Sequence, residues 1–246
     1  MATLSVKSIA ASCLDVDPPL SVREDVFGYI WGSMNRSLSL RDHLERISGA
    51  STNLSIFLVG HEPGFAGWFT QADAQQIQHA VDVQRELYAQ VGLGVRKLYW
   101  RYIPVDEATG YFAVDSSEAT ELTEDFSGPN DGIDVFYVQD VTDASGWSNS
   151  NNGAGGPCDK DEKGERTGAV MQITTPINDG NNDFAGILLA HEVGHYLGLL
   201  HAGDITNVMG DDSDGDGIGS IDSTSTNLTA SQGDTMRSHC SVHSDC

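Results

Sequence analysis

The chain has 246 residues, of which 39% are hydrophobic, and its 36 acidic against 13 basic residues give a formal net charge of −23. This length and apolar content predict one sizeable folded domain, or one domain with an extension. The acidity excludes nucleic acid and anionic membranes as expected partners, because phosphate groups are bound by clustered Lys and Arg. It fits solubility in a salty medium, calcium binding or attraction of cationic substrate segments. No apolar run reaches the roughly 18 residues that a membrane span needs.

The N-terminal part, residues 1–50, has the weakest pattern. We predict an extension that is helical over 22–43 or derived from a propeptide. Residues 1–19 contain no continuous apolar segment and do not resemble a secretory signal. Either a signal has been removed, or the protein uses another export route or stays inside the cell.

The chain has four cysteines and no C-x-x-C spacing. An even number of this kind predicts disulfides in an exported protein, with three pairings open, although unpaired thiols fit as well. The sequence favours a tail fixed by the last two of the four. In chain order they are Cys13, Cys158, Cys240 and Cys246.

Alternating apolar patterns and helix caps predict mixed α and β structure after residue 50. Thr70 is the predicted N-cap of a long helix, Asn182 or Asp183 of a second, and Thr229 of a C-terminal one. The predicted elements are a strand at 54–59, a helix at 72–91, strands at 95–103, 133–138 and 167–175, a helix from 184 to about 200, and a helix after Thr229.

The second helix contains the most informative motif. Its residues His191 and His195 are four apart, which places both imidazoles on one helix face, a turn apart, where they can bind one Zn²⁺. Glu192, beside the first histidine, can reach a water at that metal without being a ligand. Gly198 permits the backbone turn that brings His201 back as a third ligand. A fourth position left open for water is typical of a catalytic zinc site.

This stretch resembles the metzincin clan of zinc endopeptidases, whose motif H-E-x-x-H-x-x-G-x-x-H is followed by a methionine turn. Every defined position is filled, and Met209 follows the third histidine after a short, matrixin-like interval. The pappalysin-like group is the second choice. In this clan the methionine forms an apolar floor beneath the zinc, and the strand before the active-site helix is a sheet edge that pairs with extended substrate.

The resemblance implies an α+β, zincin-like catalytic domain over residues 51–246. Such a domain has a mixed twisted sheet, a long backing helix, an active-site helix and a C-terminal helix, with zinc in a cleft between an upper and a lower subdomain. It also implies hydrolysis of peptide bonds, with Glu192 as general base. We expect a secreted monomer that acts on proteins or peptides. The alternative is a zinc- and calcium-binding interaction module with weak catalysis.

The acidic segment after Met209 gives two further predictions. Asp212, Asp214 and Asp216 match the first half of a calcium loop, with Asp222 near its end, although the expected bidentate Glu is absent. A plain acidic turn explains the segment equally well. Asp211 is the residue expected in the pocket for the side chain just beyond the cleaved bond, where it would favour Lys or Arg.

Overall fold

A computed structural model describes residues 43–44, 49–62, 68–128, 130–142, 144–148, 155–160, 166–173, 183–210 and 221–244. These residues form an α+β fold with a six-stranded mixed sheet and a separate two-stranded one. The helices are α1 (Gln71–Ala89), α2 (Ser116–Phe126), α3 (Phe184–Tyr196) and α4 (Ala230–Arg237). The strands are β1 (His43–Leu44), β2 (Ala50–Val59), β3 (Leu93–Ile103), β4 (Ala113–Val114), β5 (Ile133–Val138), β6 (Asp140–Val141), β7 (Gly146–Trp147) and β8 (Gly168–Gln172).

The main sheet has the strand order β1-β3-β2-β5-β8-β7. Its four central strands are parallel, and the short strands β1 and β7 pair antiparallel at the two edges. All six residues of β5 are buried, as expected for a central strand covered on both faces.

Alternate residues along each central strand face two different layers. One face of the sheet packs with α1 and α3 in the larger core cluster, and the other packs with α2 in a smaller one. In β5, for example, Val135 belongs to the larger cluster and Phe136 to the smaller. Helices α1 and α3 therefore lie on the same face of the sheet and pack against each other.

Several predicted elements are confirmed. Strand β5 has the predicted bounds, and α1 begins after Thr70, which forms a capping box with Asp73. Thr229 caps α4 in the same way with Gln232. The predicted strands at 54–59 and 95–103 are confirmed and begin earlier, as β2 and β3. The helix predicted at 22–43 lies outside the described residues except for His43, which belongs to a strand.

Two expectations are wrong. Helix α3 ends at Tyr196, before the predicted end near Leu200, because Gly198 takes a positive φ of 92°. Asp183 is its N-cap, one of the two residues predicted, although it makes no capping hydrogen bond, since its carboxylate lies 2.7 Å from His79 Nε2. The strand before α3, β8, is not the sheet edge, because β7 pairs along it.

A disulfide is present, as predicted, with one of the pairings that the sequence left open. Cys158 is bonded to Cys240, so the end of the C-terminal helix is joined to the loop before β8. Cys13 and Cys246 lie outside the described residues. Within the described part of the chain, no helix has the length and apolarity required to cross a bilayer.

Candidate metal centre

Helix α3 is the scaffold of the candidate site. It is apolar on nearly all sides, and every residue from Ala185 to Tyr196 is buried. Gly186 allows close packing on α1, since a Cβ there would lie 2.4 Å from Val83 Cβ. Tyr88 of α1 donates a 2.8 Å hydrogen bond to the carbonyl of Ala190. The helix is therefore fixed by packing and by a buried hydrogen bond next to His191.

The turn that follows α3 has two effects on the site. Gly198 ends the helix, with its own N–H donating to His195 O and the N–H of Leu199 donating to Gly194 O. The redirected chain brings His201 back towards the helix. It also places the carbonyl of Leu199 2.9 Å from His195 Nδ1.

The three histidines converge through their Nε2 atoms. His195 Nε2 lies 3.0 Å from both His191 Nε2 and His201 Nε2. His191 and His195 are buried and His201 is exposed. Among the described residues this is the only group of three or more metal-binding side chains close enough to hold one ion.

The donor chemistry fits a divalent metal. A carbonyl oxygen only accepts, so the Nδ1 atoms facing Val208 O at 2.8 Å and Leu199 O at 2.9 Å carry the protons of His191 and His195. Their Nε2 lone pairs then face each other, which is unfavourable unless a cation lies between them. Burial, together with neighbouring His195, lowers the pKa of His191 to about 3, which keeps its ring neutral as a ligand must be.

Glu192 lies beside this cluster and is itself buried. Burial raises the pKa of its carboxyl to about 8, and the guanidinium of Arg166 acts in the opposite direction. A Cβ on Gly146 of β7 would lie 2.8 Å from Glu192 Cγ, so only glycine leaves room for the carboxylate at this sheet edge. The carboxylate therefore lies between α3, which carries His191 and His195, and strand β7.

Met209 is fully buried. A Cβ on Gly194, in the middle of the motif, would lie 2.7 Å from Met209 Sδ. The glycine at this position thus lets the thioether approach the helix backbone between His191 and His195.

No protein-family model matches this chain, and no curated protein matches it in sequence. Its structure is similar to that of an archaemetzincin from Methanopyrus kandleri, with 14% sequence identity, coverage of 76% of this chain and 94% of that one, and a TM-score of 0.49. It is also similar to metalloproteinase-II from Bacteroides fragilis, with 15% identity, coverage of 78% of this chain and 53% of that one, and a TM-score of 0.47. The chain thus spans about half of the Bacteroides protein. Neither similarity assigns a function to it.

A short segment, Gly155–Lys160, crosses the end of α3, and we call it the strap. Gly156 N donates to Tyr196 O at 2.7 Å, and Tyr196 Oη donates to Pro157 O at 2.9 Å. His239 donates to Gly156 O from the end of α4, at 3.0 Å. With the disulfide, these contacts join α3 and α4 through the strap.

The strap ends in a buried ion pair. Lys160 Nζ lies 2.9 Å from Asp134 Oδ1, and the side chains are 9% and 0% exposed. Asp134 also accepts hydrogen bonds from Ser127 Oγ at 2.9 Å and Asn130 Nδ2 at 3.0 Å. The strap therefore connects the end of α3 to the start of β5.

Of the residues predicted to bind calcium or to determine specificity, only Asp222 lies within the described part of the chain. Asp211, Asp212, Asp214 and Asp216 lie outside the described residues. Asp222 is described and exposed, and its Oδ1 accepts from Thr224 N at 2.7 Å and Thr224 Oγ1 at 2.6 Å. Nothing in the described part of the chain supports a calcium ion.

Arg166 is a site residue that the sequence did not reveal. Its guanidinium stacks 5.2 Å from the Trp147 ring and donates to Ser148 O at 2.8 Å and Ser116 O at 2.9 Å. Burial lowers its pKa, and the carboxylate of Glu192 opposes that shift. No local pattern marks this arginine, because its partners come from α2 and β7.

Proposed function

We propose that this chain is a zinc-dependent endopeptidase that hydrolyses peptide bonds of proteins, with Glu192 as general base. The observation that carries the proposal is the convergence of three Nε2 atoms on one point, with a buried carboxylate at the next residue of the same helix. His191, His195 and His201 would hold the zinc. When bound, zinc acts as a Lewis acid that polarises the peptide carbonyl and activates water.

The protein residues supply orientation and proton transfer. The carbonyls of Val208 and Leu199 fix the tautomers of His191 and His195, so that both Nε2 atoms are acceptors. Glu192 takes the proton of the attacking water and passes it to the leaving amine. Its dry surroundings favour the uncharged carboxyl, which is the form that donates in the second step.

The expected substrate is an extended peptide. Strand β7 is a two-residue edge strand whose Gly146 touches Glu192, so a peptide added at this edge would pass the base. The Asp211 prediction remains part of the proposal, with a preference for Lys or Arg just beyond the cleaved bond. The Cys158–Cys240 disulfide supports secretion to an oxidising compartment. We further propose that the protein acts as a monomer.

The test is hydrolysis of casein by the zinc-loaded protein, with and without a chelator. We expect cleavage that the chelator abolishes and that added zinc restores. Glu192→Ala should bind one zinc per chain and hydrolyse nothing measurable, since the base is not a ligand. Zinc binding without hydrolysis by the wild type would instead favour the weakly catalytic interaction module. Activity of Glu192→Ala equal to that of the wild type would refute the mechanism.

A further inference from the structure

We infer that Gln232, on α4, is a positioning residue for the zinc site, and that it acts on His191 through Asn207. The inference rests on the proposed function insofar as His191 is taken to bind zinc. Gln232 does not touch the histidine cluster. Its influence passes through a series of hydrogen bonds, each of which fixes the orientation of the next group.

The series begins at the N-terminus of α4. Thr229 N donates to Gln232 Oε1 at 2.8 Å, and Thr229 Oγ1 lies 3.0 Å from the same oxygen. A backbone N–H can only donate, so this capping box decides which end of the Gln232 amide is the oxygen. The Nε2 group must therefore point the other way, towards Asn207.

The second step is a reciprocal pair of amides. Gln232 Nε2 donates to Asn207 Oδ1 at 2.8 Å, and Asn207 Nδ2 donates to Gln232 Oε1 at 3.0 Å. Asn207 is buried, so water cannot supply the hydrogen bonds that its amide would lose if it were reversed. Gln232 thus determines that Asn207 Oδ1, and not Nδ2, faces the backbone of the turn at residues 207–210.

The third step orients the turn itself. Asn207 Oδ1 accepts from Met209 N at 2.9 Å, and the carbonyl of Asn207 accepts from Gly210 N at 2.8 Å. The two bonds hold Val208 and Met209 in the middle of a tight turn. A reversed Asn207 amide would place Nδ2 against Met209 N–H, which is two donors facing each other.

The last step reaches the metal ligand. Val208 lies between Asn207 and Met209, and its carbonyl accepts a hydrogen bond from His191 Nδ1 at 2.8 Å. This bond puts the proton on Nδ1 and leaves the Nε2 lone pair directed at the metal position. Asn227 O holds Val208 N from the other side at 2.9 Å, so loss of Gln232 should loosen the turn without destroying it.

The decisive variant is Gln232→Glu. A carboxylate can still accept from Thr229 N, because Glu and Gln both complete a capping box, but it cannot donate to Asn207 Oδ1. We expect the zinc dissociation constant, measured by chelator competition, to rise about 10-fold, within the 10–100-fold typical of groups that orient metal-bound histidines. Ser231→Ala, at the exposed neighbouring position, is the matched control and should bind zinc as the wild type does.

Two further measurements separate positioning from simple destabilisation. In the metal-free protein, long-range ¹H–¹⁵N NMR should show His191 as the Nδ1–H tautomer, with a mixture of tautomers in Gln232→Glu. Because Gln232 acts through Asn207, the double variant with Asn207→Ala should bind zinc no more weakly than Asn207→Ala alone. If Gln232→Glu does not fold, Gln232→Met takes its place in all three measurements.

The outcomes are distinguishable. A wild type that binds no zinc overturns the proposed function, and the tautomer measurement then decides the role of Gln232 by itself. An unchanged His191 tautomer in the variant overturns the positioning role. So does an unchanged zinc affinity in a wild type that does bind zinc, and so do additive effects of the two substitutions.

Discussion

The strap and the metal centre meet at Tyr196, yet their polar groups are arranged in opposite ways. In the strap, Lys160 and Asp134 form an ion pair, and Asp134 has two further donors. At the metal centre, lone pairs face each other, and no described residue is hydrogen-bonded to the carboxylate of Glu192. Polar groups satisfied within the chain stabilise a fold, whereas groups left with binding capacity mark a functional site.

The largest expected effect is on catalysis by the metal centre. Glu192→Gln should reduce peptide hydrolysis by about 10²–10⁴-fold, the usual contribution of a general acid–base group. The free energy of unfolding of the metal-free protein should not fall, because the variant removes a buried carboxyl that no described residue serves as a hydrogen-bond donor. Denaturant titration and casein hydrolysis measure the two quantities. A large loss of stability with unchanged hydrolysis would show that Glu192 stabilises the fold and takes no part in catalysis.

The corresponding substitution in the strap should affect stability. Lys160→Met leaves the Asp134 charge buried without its cation, which typically costs about 3–5 kcal/mol of unfolding free energy. Lys97→Met is the control, because its partner Asp131 is 41% exposed, and such pairs contribute about 0–1 kcal/mol. Urea titration of both variants gives the comparison. Equal losses would show that the Lys160 pair is no more important than a surface pair.

Removing the disulfide should lower the free energy of unfolding somewhat less than Lys160→Met does. Cys158 and Cys240 are 82 residues apart in sequence, and a cross-link over a loop of that length typically stabilises a protein by about 2–4 kcal/mol. The double variant Cys158→Ser/Cys240→Ser should therefore unfold at lower denaturant concentration. The disulfide joins the strap to the end of α4 and includes none of the three histidines proposed to bind zinc, so zinc stoichiometry should remain one per chain. A changed stoichiometry would show that the strap is part of the metal centre.

Acid should weaken the strap through His239. Burial lowers the pKa of this histidine below its ordinary value of 6.5, although its bond to Gly156 O opposes the shift. Ser241 N donates to His239 Nδ1 at 3.2 Å, and a proton on Nδ1 would break that bond. His239 therefore binds a proton more readily in the unfolded chain than in the folded one. Its contribution to the free energy of unfolding is fully present above about pH 6.5 and declines as the pH falls towards the lowered pKa.

The matched variants for this prediction are His239→Gln and His79→Gln. His239→Gln should show a smaller loss of stability between pH 7 and pH 5 than the wild type, measured by thermal unfolding without metal. His79, an exposed histidine paired with Asp183, should leave the pH dependence of the strap unchanged when replaced. An identical pH profile for His239→Gln and the wild type would exclude His239 as the source.

The smallest expected effect concerns calcium. If Asp212, Asp214 and Asp216 bind the ion, millimolar calcium should raise the thermal midpoint by mass action on the folded state. Zinc must be held constant in the measurement, and Asp214→Asn should abolish the shift. No shift in the wild type would favour a plain acidic turn.

The sequence predicted the parts of the molecule that depend on local spacing. Strand β5 follows from a run of apolar residues, and the cap of α1 from Thr70 and the helix after it. The convergence of the motif histidines follows from the helical repeat and one glycine. In these cases the determining residues are neighbours in the chain.

Elements that depend on tertiary contacts were not predicted. Helix α2 buries only Ala119, Leu122 and Thr123 and so has a weak apolar stripe, although Asp115 and Glu118 form a capping box that could have revealed it. Strand β7 has two residues and is defined by its pairing with β8. The groups that orient the histidines are backbone carbonyls, which leave no signature in the side-chain sequence.

The position of these orienting groups along the chain also bears on biosynthesis. A ribosome delivers the helix with His191 and Glu192 well before Val208, Asn227 and Gln232, and folding during synthesis proceeds from the N-terminal side. A nascent chain that ends before residue 208 has the motif but lacks the carbonyl that fixes the tautomer of His191. The order of translation thus delays formation of the complete centre until the residues that orient His191 have also been synthesised.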